Sequence, residues 1–257
     1  MELFNNFFDP DGAFETLARA GHILVGIAWI GLLYFFNFVQ VPAYAQLSDG
    51  ARSEALRKLT WRALWWFRWA AFATFIFGLA IVSVQEMGNI EVNGEEIAGT
   101  SYFAGPGGTA ILTGMLFGTT MFVNVWGIIW RNQKVVIGSA EAVANGGQAD
   151  PDAPAAAKRA ARASRTNTFF SFTMLWFMVF TAHGAGFYET AIGGTAVYWL
   201  FVLVLWAVVE ASALGFIGGI DGPINKAVFD DHKKTIIYGF AYLAVIYVIG
   251  WELLLPA

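Results

Sequence analysis

The chain of 257 residues contains no cysteine. Disulfides, thiolate metal sites and a covalently attached c-type haem are therefore excluded within it. Charged residues are also scarce: they make up 13% of the chain, whereas 57% of its residues are hydrophobic. A soluble domain carries about 25% charged residues. No broad basic face lies on a folded module, so nucleic-acid binding is not expected. This composition favours an integral membrane protein.

Six apolar segments are long enough to cross a bilayer, which requires about 20 residues. They predict an all-α fold, a polytopic membrane helix bundle of about six transmembrane helices that forms a single integral membrane domain over residues 1–257. The predicted spans are 15–42, 61–85, 107–130, 167–188, 195–219 and 235–255.

The connections between the spans are unlike one another in composition. The acidic and aromatic residues 1–14 suggest an arm at the membrane interface. In the polar connection 86–106, Asn93-Gly94 suggests a hairpin turn. Residues 155–166 are rich in alanine and basic residues, and we expect them to extend the fourth helix as a solvated stub that fixes the topology. A contact of this stub with lipid or a partner is the alternative.

Basic residues are nearly absent from one side of the predicted bundle. If the six helices alternate in direction, thirteen of the fifteen Lys and Arg lie on one side, in the connections 47–62, 131–166 and 220–234. We call this the basic side and the opposite one the acidic side. The positive-inside rule places the basic side in the cytoplasm and both termini outside. In a bacterium, this predicts a multi-pass protein of the inner membrane.

Only three histidines are present, and two of them, His22 and His183, lie in predicted spans. An ionisable group inside a membrane segment is costly and suggests a functional site. At a rise of 1.5 Å per residue, both lie roughly 9 Å below the acidic surface. Two imidazoles at one depth can ligate one haem iron from both faces, so we expect haem b between them. The alternative is a hydrogen bond from each ring to a neighbouring hydroxyl or carbonyl. His232 is expected to be a solvated loop residue.

Arg19 lies three residues before His22, on the same helix face and nearer the acidic surface. It is a candidate partner for a haem propionate. An anchor at the membrane interface is the equally simple alternative.

A second polar group is predicted in the half of the membrane next to the basic side. Arg68, Asn124 and Glu210 each lie seven to nine residues from the basic-side ends of their helices. An arginine inside the membrane needs a partner, and Glu210 is the only acidic residue at that depth. We expect an ion pair between Arg68 and Glu210, with Asn124 hydrogen-bonded beside it. A proton path or a polar substrate pocket is the alternative.

Several stretches carry a family resemblance. These are 22–31 (HILVGIAWIG) with Arg19 before it, 59–74 (LTWRALWWFRWAAFAT), 124–136 (NVWGIIWRNQKVV) and 172–183 (FTMLWFMVFTAH). In this order they resemble the N-terminal membrane domain of the membrane-bound urate oxidase (urate hydroxylase) family. The resemblance covers about half of the chain. It implies that family-typical positions are Arg19, His22, Asn124, Asn132, Gln133, Lys134 and His183.

The same resemblance implies a membrane redox protein. Longer members of the family end in a c-type cytochrome domain and oxidise urate. This chain has no Cys-x-x-Cys-His and no cytochrome tail, and it has six spans where the family has about eight. Its stretch before the fourth span reads Ser164-Arg-Thr-Asn167-Thr, where the family is rich in His and Asn. We expect a shortened member, which as an oxidoreductase of urate-hydroxylase type would need a separate cytochrome.

Three functions follow from these expectations. The first is electron transfer through haem b in a lipid bilayer, with a cytochrome c or a larger membrane complex as partner. The second is a non-catalytic structural subunit of a larger respiratory or photosynthetic membrane complex. The third is a transporter that uses Arg68, Asn124 and Glu210. Inverted repeats and discontinuous helices would favour a transporter, and the sequence shows neither.

Overall fold

The structure is a computed structural model that describes residues 4, 7–8, 12–87, 89–92, 95–98, 103, 105–188 and 195–255. Within these residues the chain forms six long helices. They are α1 (Ala13–Tyr44), α2 (Asp49–Ala55, Leu56–Thr60 and Trp61–Met87), α3 (Pro106–Val123, Asn124–Ile129 and Trp130–Ala144), α4 (Ala153–His183), α5 (Thr195–Ala213) and α6 (His232–Ala244 and Val245–Leu253).

Wide, π-helical turns interrupt four of these helices without ending them. They occupy Phe35–Gln40 in α1, Leu56–Thr60 in α2, Asn124–Ile129 in α3 and Val245–Leu253 in α6. A further π-helical turn, Asn225–Phe229, lies in the connection before α6. Each such turn rotates the helix that follows it and frees backbone groups for other partners. The faces beyond these turns therefore differ from those of a regular helix.

Each of the six predicted spans lies in one of the six helices, but the helices differ from the spans in length. Helix α2 begins at Asp49, twelve residues before the predicted span, and α3 continues to Ala144, fourteen residues beyond it. Helix α4 begins at Ala153, so residues 155–166 do extend the fourth helix as predicted. Helix α5 ends at Ala213, six residues earlier than predicted. The cause is the glycine-rich sequence that follows, in which Gly215, Gly218 and Gly219 adopt positive φ angles. Side chains other than glycine rarely adopt this left-handed conformation, so the helix cannot continue through it.

Five of the helices, α1, α2, α3, α5 and α6, are long and apolar enough to cross a membrane. Helix α4 is more polar because of its residues Thr166, Asn167, Thr168, Ser171 and Thr173, all of which are buried. It nevertheless runs antiparallel to α3 along the length of that helix. Asn124 contacts Asn167 midway, and Met178 packs on Gly114 nearer the acidic side. A helix that accompanies a spanning helix over this length covers the same thickness.

The distribution of residues is that of a membrane protein. Large apolar side chains such as Leu24, Ile27 and Leu200 are 66–70% exposed on the outside of the bundle. Polar side chains such as Thr113, Asn167 and Ser212 are fully buried within it. A soluble protein rarely exposes apolar patches on this scale. The fold is a polytopic helical bundle whose outer surface suits a lipid bilayer.

The three basic connections lie at one end of the bundle. Arg57 of the first pairs with Glu141 of the second at 3.1 Å, and Lys158 of the second pairs with Asp221 of the third at 2.6 Å. These contacts require the helices to alternate in direction, as the charge distribution predicted.

A short β-hairpin follows α2. Its strands β1 (Asn89–Val92) and β2 (Glu95–Ala98) are antiparallel, with Val92 opposite Glu95. This pairing leaves the two residues 93–94 to connect the strands. The predicted Asn93-Gly94 turn itself lies outside the described residues, as does most of the arm predicted over residues 1–14.

Helices α4 and α6 approach closely at Gly239. A Cβ atom at this position would lie 2.6 Å from Cδ2 of Phe172, whose ring stacks on Phe240 at a centroid distance of 4.4 Å. Small residues allow such approach between helices in membranes. We expect Gly239→Ala to lower the free energy of unfolding by about 1–3 kcal/mol, because the Phe172 ring must leave its stack.

The measurement is thermal unfolding in detergent, with Gly31→Ala as the control. A Cβ atom at Gly31 meets nothing within 4 Å. Equal melting temperatures of the two variants would contradict the close approach of α4 and α6.

Candidate functional site

His22 lies against α2, and one of its ring nitrogens is already bound. Its Nδ1 is 2.9 Å from the carbonyl oxygen of Thr74. A carbonyl only accepts hydrogen bonds, so Nδ1 carries the proton and donates it, which leaves the lone pair of Nε2 free. A Cβ atom at Gly78 would be 3.3 Å from Cε1 of His22, so the imidazole packs closely against α2 at this glycine. Histidines that bind metals are commonly oriented by a carbonyl in this way.

His183 is the last residue of α4 and is exposed. It lies one turn beyond Val179 and two turns beyond Trp176, on a face of α4 where both of those side chains are also exposed. Within the described residues, no hydrogen bond or ion pair of its side chain is formed. Its imidazole is therefore open to a ligand.

The two histidines are level with each other along the bundle axis. The hydroxyls of Tyr34 in α1 and Ser171 in α4 are 2.9 Å apart, which sets the relative height of the two helices. His22 lies twelve residues before Tyr34, and His183 lies twelve residues after Ser171. Because α1 and α4 run in opposite directions, both offsets point toward the acidic side and amount to about 18 Å.

The structure does not bring the two rings into contact. The described contacts between α1 and α4 lie nearer the basic side, where Asn37 donates to Ser164 and Tyr34 stacks on Phe172. Toward the acidic side, α1 follows α2, whereas α4 follows α3 and α6. His22 and His183 thus share a depth but belong to different packing groups.

Arg19 has a partner that the sequence pattern does not indicate. Its Nε donates to Oε1 of Glu15 at 2.7 Å, one turn earlier on α1. The Glu15 side chain is buried, whereas that of Arg19 is 47% exposed. The carboxylate holds one edge of the guanidinium, and the rest of it faces outward at the acidic end of α1.

Trp29 lies two turns after His22 on the same face of α1 and is 3% exposed. Its indole Nε1 is buried without a hydrogen-bond partner. A buried, unpaired donor in a well-packed bundle is unusual. An unpaired hydrogen-bond donor therefore lies on the same face of α1 as His22.

Asn124 and Glu210 lie together in the interior, and a third residue completes the group. The Nδ2 of Asn124 donates to Oδ1 of Asn167 at 3.0 Å and to Oε2 of Glu210 at 3.3 Å. The Nδ2 of Asn167 in turn donates to the carbonyl oxygen of Met121 at 2.9 Å. This cluster of Asn124, Asn167 and Glu210 joins α3, α4 and α5. Asn167 appears in the sequence only as a departure from the family pattern.

Arg68 does not join this cluster, and the predicted ion pair with Glu210 is not formed. Its guanidinium carbon lies 3.7 Å from the ring centroid of Trp130 and 5.3 Å from that of Trp126. Asn124 points to the opposite side of α3, toward α4 and α5. The prediction was based on equal depth in the membrane. It was wrong because Arg68 and Glu210 lie on different sides of α3.

The motif residues Asn132, Gln133 and Lys134 lie in the last part of α3. The Nδ2 of Asn132 donates to the carbonyl oxygen of Ile128 at 2.8 Å. Oε1 of Gln133 is buried without a partner. Lys134 is exposed, and its Nζ lies 6.0 Å from the ring centroid of Trp130. These three side chains share a helix segment but do not converge on one point.

Arg162 shows that residues 155–166 are not a solvated stub. Its side chain is 6% exposed, its Nη1 donates to the carbonyl oxygen of Asn225 at 3.1 Å, and it pairs with Asp230. Asn225 is fully buried and donates to the carbonyl oxygen of Ser212 at 2.6 Å. The basic end of α4 therefore anchors the connection between α5 and α6. Burial lowers the pKa of the neighbouring Arg165, and the charge of Arg162 lowers it further.

The fold and these sites define a class: a polytopic helical membrane protein with polar and ionisable side chains held inside the bundle. A family model described as urate oxidase N-terminal matches residues 92–214. Over these residues, just under half of the chain, the sequence is similar to that family, which agrees with the resemblance seen in the sequence. The matched range includes the buried cluster and His183, whereas Arg19, His22 and Arg68 precede it. No curated protein and no solved structure matches the chain.

Asn167→Ala tests the buried cluster. We expect it to lower the free energy of unfolding by about 1–2 kcal/mol, because Asn124 and the Met121 carbonyl each lose a buried partner. Thermal unfolding in detergent measures the effect. Asn132→Ala is the matched control, since it removes one hydrogen bond within a helix from a half-buried side chain. A larger loss in the control would contradict the central place of Asn167.

Arg162→Gln tests the anchor of the α5–α6 connection. We expect faster cleavage of residues 214–231 by added protease, because the variant loses its charge pair with Asp230. Arg159→Gln, three residues earlier and exposed, removes the same charge and should leave the cleavage rate unchanged. Equal rates in both variants would show that the anchor does not order this connection.

Proposed function

We propose that this chain is a membrane redox protein that binds haem b through His22 and His183 and serves electron transfer. The observation that carries the proposal is the hydrogen bond from Nδ1 of His22 to the Thr74 carbonyl. It fixes the tautomer in which Nε2 is the free ligand nitrogen. The rigid α1–α2 contact holds this nitrogen in one orientation.

The donor types suit haem b, and the haem would have to bridge the two packing groups to which His22 and His183 belong. Two neutral imidazoles are normal axial ligands of this haem, and the absence of cysteine is compatible with its non-covalent attachment. His183 supports the assignment because its ring has no hydrogen bond or ion pair in the described part of the chain and shares the depth of His22. When bound, the haem supplies a one-electron iron couple. His22 and His183 would hold it, and the Thr74 carbonyl would keep the His22 ring oriented.

Arg19 gives the site a positive charge at its acidic-side edge. The free part of its guanidinium would pair with a propionate carboxylate. Glu15 limits this attraction, because it already occupies one edge of Arg19. A direct role of this chain in urate oxidation would require a separate electron acceptor, for which a cytochrome c is the natural partner.

The absorption spectrum of protein purified in detergent from haem-replete cells tests the proposal. We expect a Soret band that shifts on reduction and is lost in both His22→Ala and His183→Ala, because a bis-histidine site needs both ligands. His232→Ala is the matched control, since His232 begins α6 in the third basic connection. A purified chain without a Soret band would refute haem binding.

His183→Met separates loss of the ligand from loss of the fold. Methionine is an alternative axial ligand that raises the reduction potential. We expect this variant to retain haem with a changed spectrum and a higher potential. An unchanged spectrum and potential would show that His183 is not a ligand.

A non-catalytic subunit of a larger respiratory or photosynthetic membrane complex is the alternative function. Its support is the wide exposed apolar surface of the bundle, which includes Leu175, Trp176 and Val179 beside His183. This function predicts that both histidine variants still co-purify with the same partner chains. Loss of the Soret band together with retained assembly would assign the two histidines to haem and the surface to assembly.

A further inference from the structure

Arg68 is a cation inside a predicted span, and the described residues provide no carboxylate for it. The only acidic residue at its depth, Glu210, is bound to Asn124 instead. Its Nε is buried and has no hydrogen-bond partner in the part of the chain that the structure describes. A guanidinium within a membrane needs an anion or a carbonyl. An anion from outside the protein would meet this need.

The side chain of Arg68 extends toward the basic side. Its carbonyl oxygen accepts a hydrogen bond from Nε1 of Trp126 at 3.1 Å, whereas its guanidinium lies over Trp130, about one turn further along α3. The Trp130 ring also stacks on Trp61, which begins the apolar part of α2, at a centroid distance of 5.1 Å. Long basic side chains extend in this way to place their charge near the membrane surface.

A second cation lies at the same ring. Nζ of Lys134 is 6.0 Å from the Trp130 centroid, to which the guanidinium carbon of Arg68 is 3.7 Å. Because both distances are measured to one ring, the two charged groups lie within about 10 Å of each other. Arg131, next to Trp130 in sequence, adds a third positive charge, and no carboxylate of the described residues pairs with any of the three. Like charges this close repel each other unless an anion lies between them.

A shallow cavity of about 470 Å³ lies along this part of α3. At its basic-side end it is lined by Arg131 and Lys134, and Trp126, Gly127 and Trp130 line its middle. Its other end is formed by Phe122 and Val123, deeper in the membrane. From Phe122 to Lys134, α3 rises about 18 Å. The cavity is therefore charged at the membrane surface and apolar below it.

A second cavity on the basic side, of about 600 Å³, is a weaker candidate. It is lined by Arg57, Lys58, Leu59, Trp61 and Arg62. Arg57 and Lys58 already pair with Glu141 and Glu54. Its cations are mostly neutralised, whereas those around Trp130 are not.

We propose that the surface formed by Arg68, Trp126, Trp130, Arg131 and Lys134 binds an anionic phospholipid of the leaflet on the basic side. The phosphate lies at the end of the cavity lined by Arg131 and Lys134, beside the Trp130 ring that the Arg68 guanidinium covers, and one acyl chain follows the apolar end of the cavity past Phe122 and Val123. The apolar end distinguishes a lipid from a free phosphate ion, which would use the cations alone. Basic clusters beside a span attract anionic lipids.

Native mass spectrometry of the full chain in a non-ionic detergent, with added phosphatidylglycerol, tests this proposal. Phosphatidylcholine with the same acyl chains and inorganic phosphate are the comparison ligands. We expect phosphatidylglycerol to remain bound and to raise the melting temperature, and the other two to do neither. Equal effects of both lipids, or an equal rise in melting temperature with inorganic phosphate, would overturn the proposal.

The double variant Arg131→Gln/Lys134→Gln locates the site. We expect its affinity for phosphatidylglycerol to fall about tenfold or more, because two cations at the phosphate are lost. Lys233→Gln/Lys234→Gln removes the same charge from exposed positions on the same side and should leave the affinity unchanged. Equal losses in both variants would show attraction to the general positive charge and overturn the site.

Val123→Trp tests the acyl end without changing a charge. Val123 is 55% exposed, so the larger side chain can be accommodated without disturbing the bundle. We expect it to fill the apolar end and weaken phosphatidylglycerol binding several-fold while the melting temperature of the lipid-free protein stays the same. Unchanged affinity would overturn the lipid assignment even if the double glutamine variant failed to fold.

Discussion

The structure depends on one constraint: a polar group inside a membrane bundle must find its hydrogen-bond partner within the protein. The cluster of Asn124, Asn167 and Glu210 meets this constraint for α3, α4 and α5 at once. Met121 takes part because its carbonyl, just before the π-helical turn that begins at Asn124, accepts from Asn167. Each amide in the cluster has a specific partner, so the three helices have one defined relative height.

Helix α4 is placed at the centre of the bundle by the same constraint. Its polar face would be costly against lipid, so it packs against α3 and α6, where Asn167, Ser171 and Thr173 are fully buried. Its basic end continues the pattern, because Arg162 and Arg165 donate to backbone carbonyls of the α5–α6 connection. One helix therefore organises both the membrane interior and the basic surface.

The two candidate sites consist of polar groups that the hydrogen bonds and ion pairs within the bundle do not fully occupy. His22 keeps a free Nε2 after its bond to Thr74, and His183 is the last residue of α4. Arg68 and Lys134 lie near the Trp130 ring, and no carboxylate of the described residues pairs with them or with Arg131. Ligand sites in a membrane protein are expected where charged or ligating groups remain unpaired, since pairing inside the protein would remove their attraction for a ligand.

How much of this could be predicted differs between helices and side chains. The positions of the six helices, the shared end of the basic connections and the extension of α4 to Ala153 follow from sequence. The end of α5 at Ala213 could not be placed from apolar composition, because the glycines after it are themselves compatible with a span. The pairing of Arg19 with Glu15 is an i, i+4 contact that is compatible with the sequence. It was not predicted, because Arg19 was expected to face outward to a propionate or to the membrane interface.

The sequence by itself determined the depth at which each polar residue lies in the membrane. Apolar length and the constant rise of a helix place His22 level with His183, and Arg68 level with Glu210. Only the tertiary structure decided which residues meet, because a meeting also requires the right angle around each helix axis. That angle is set by packing, and the π-helical turns in α1 and α3 shift it away from regular helical periodicity. This is why Glu210 pairs with Asn124 and not with Arg68, and why Asn124 joins Glu210 to Asn167.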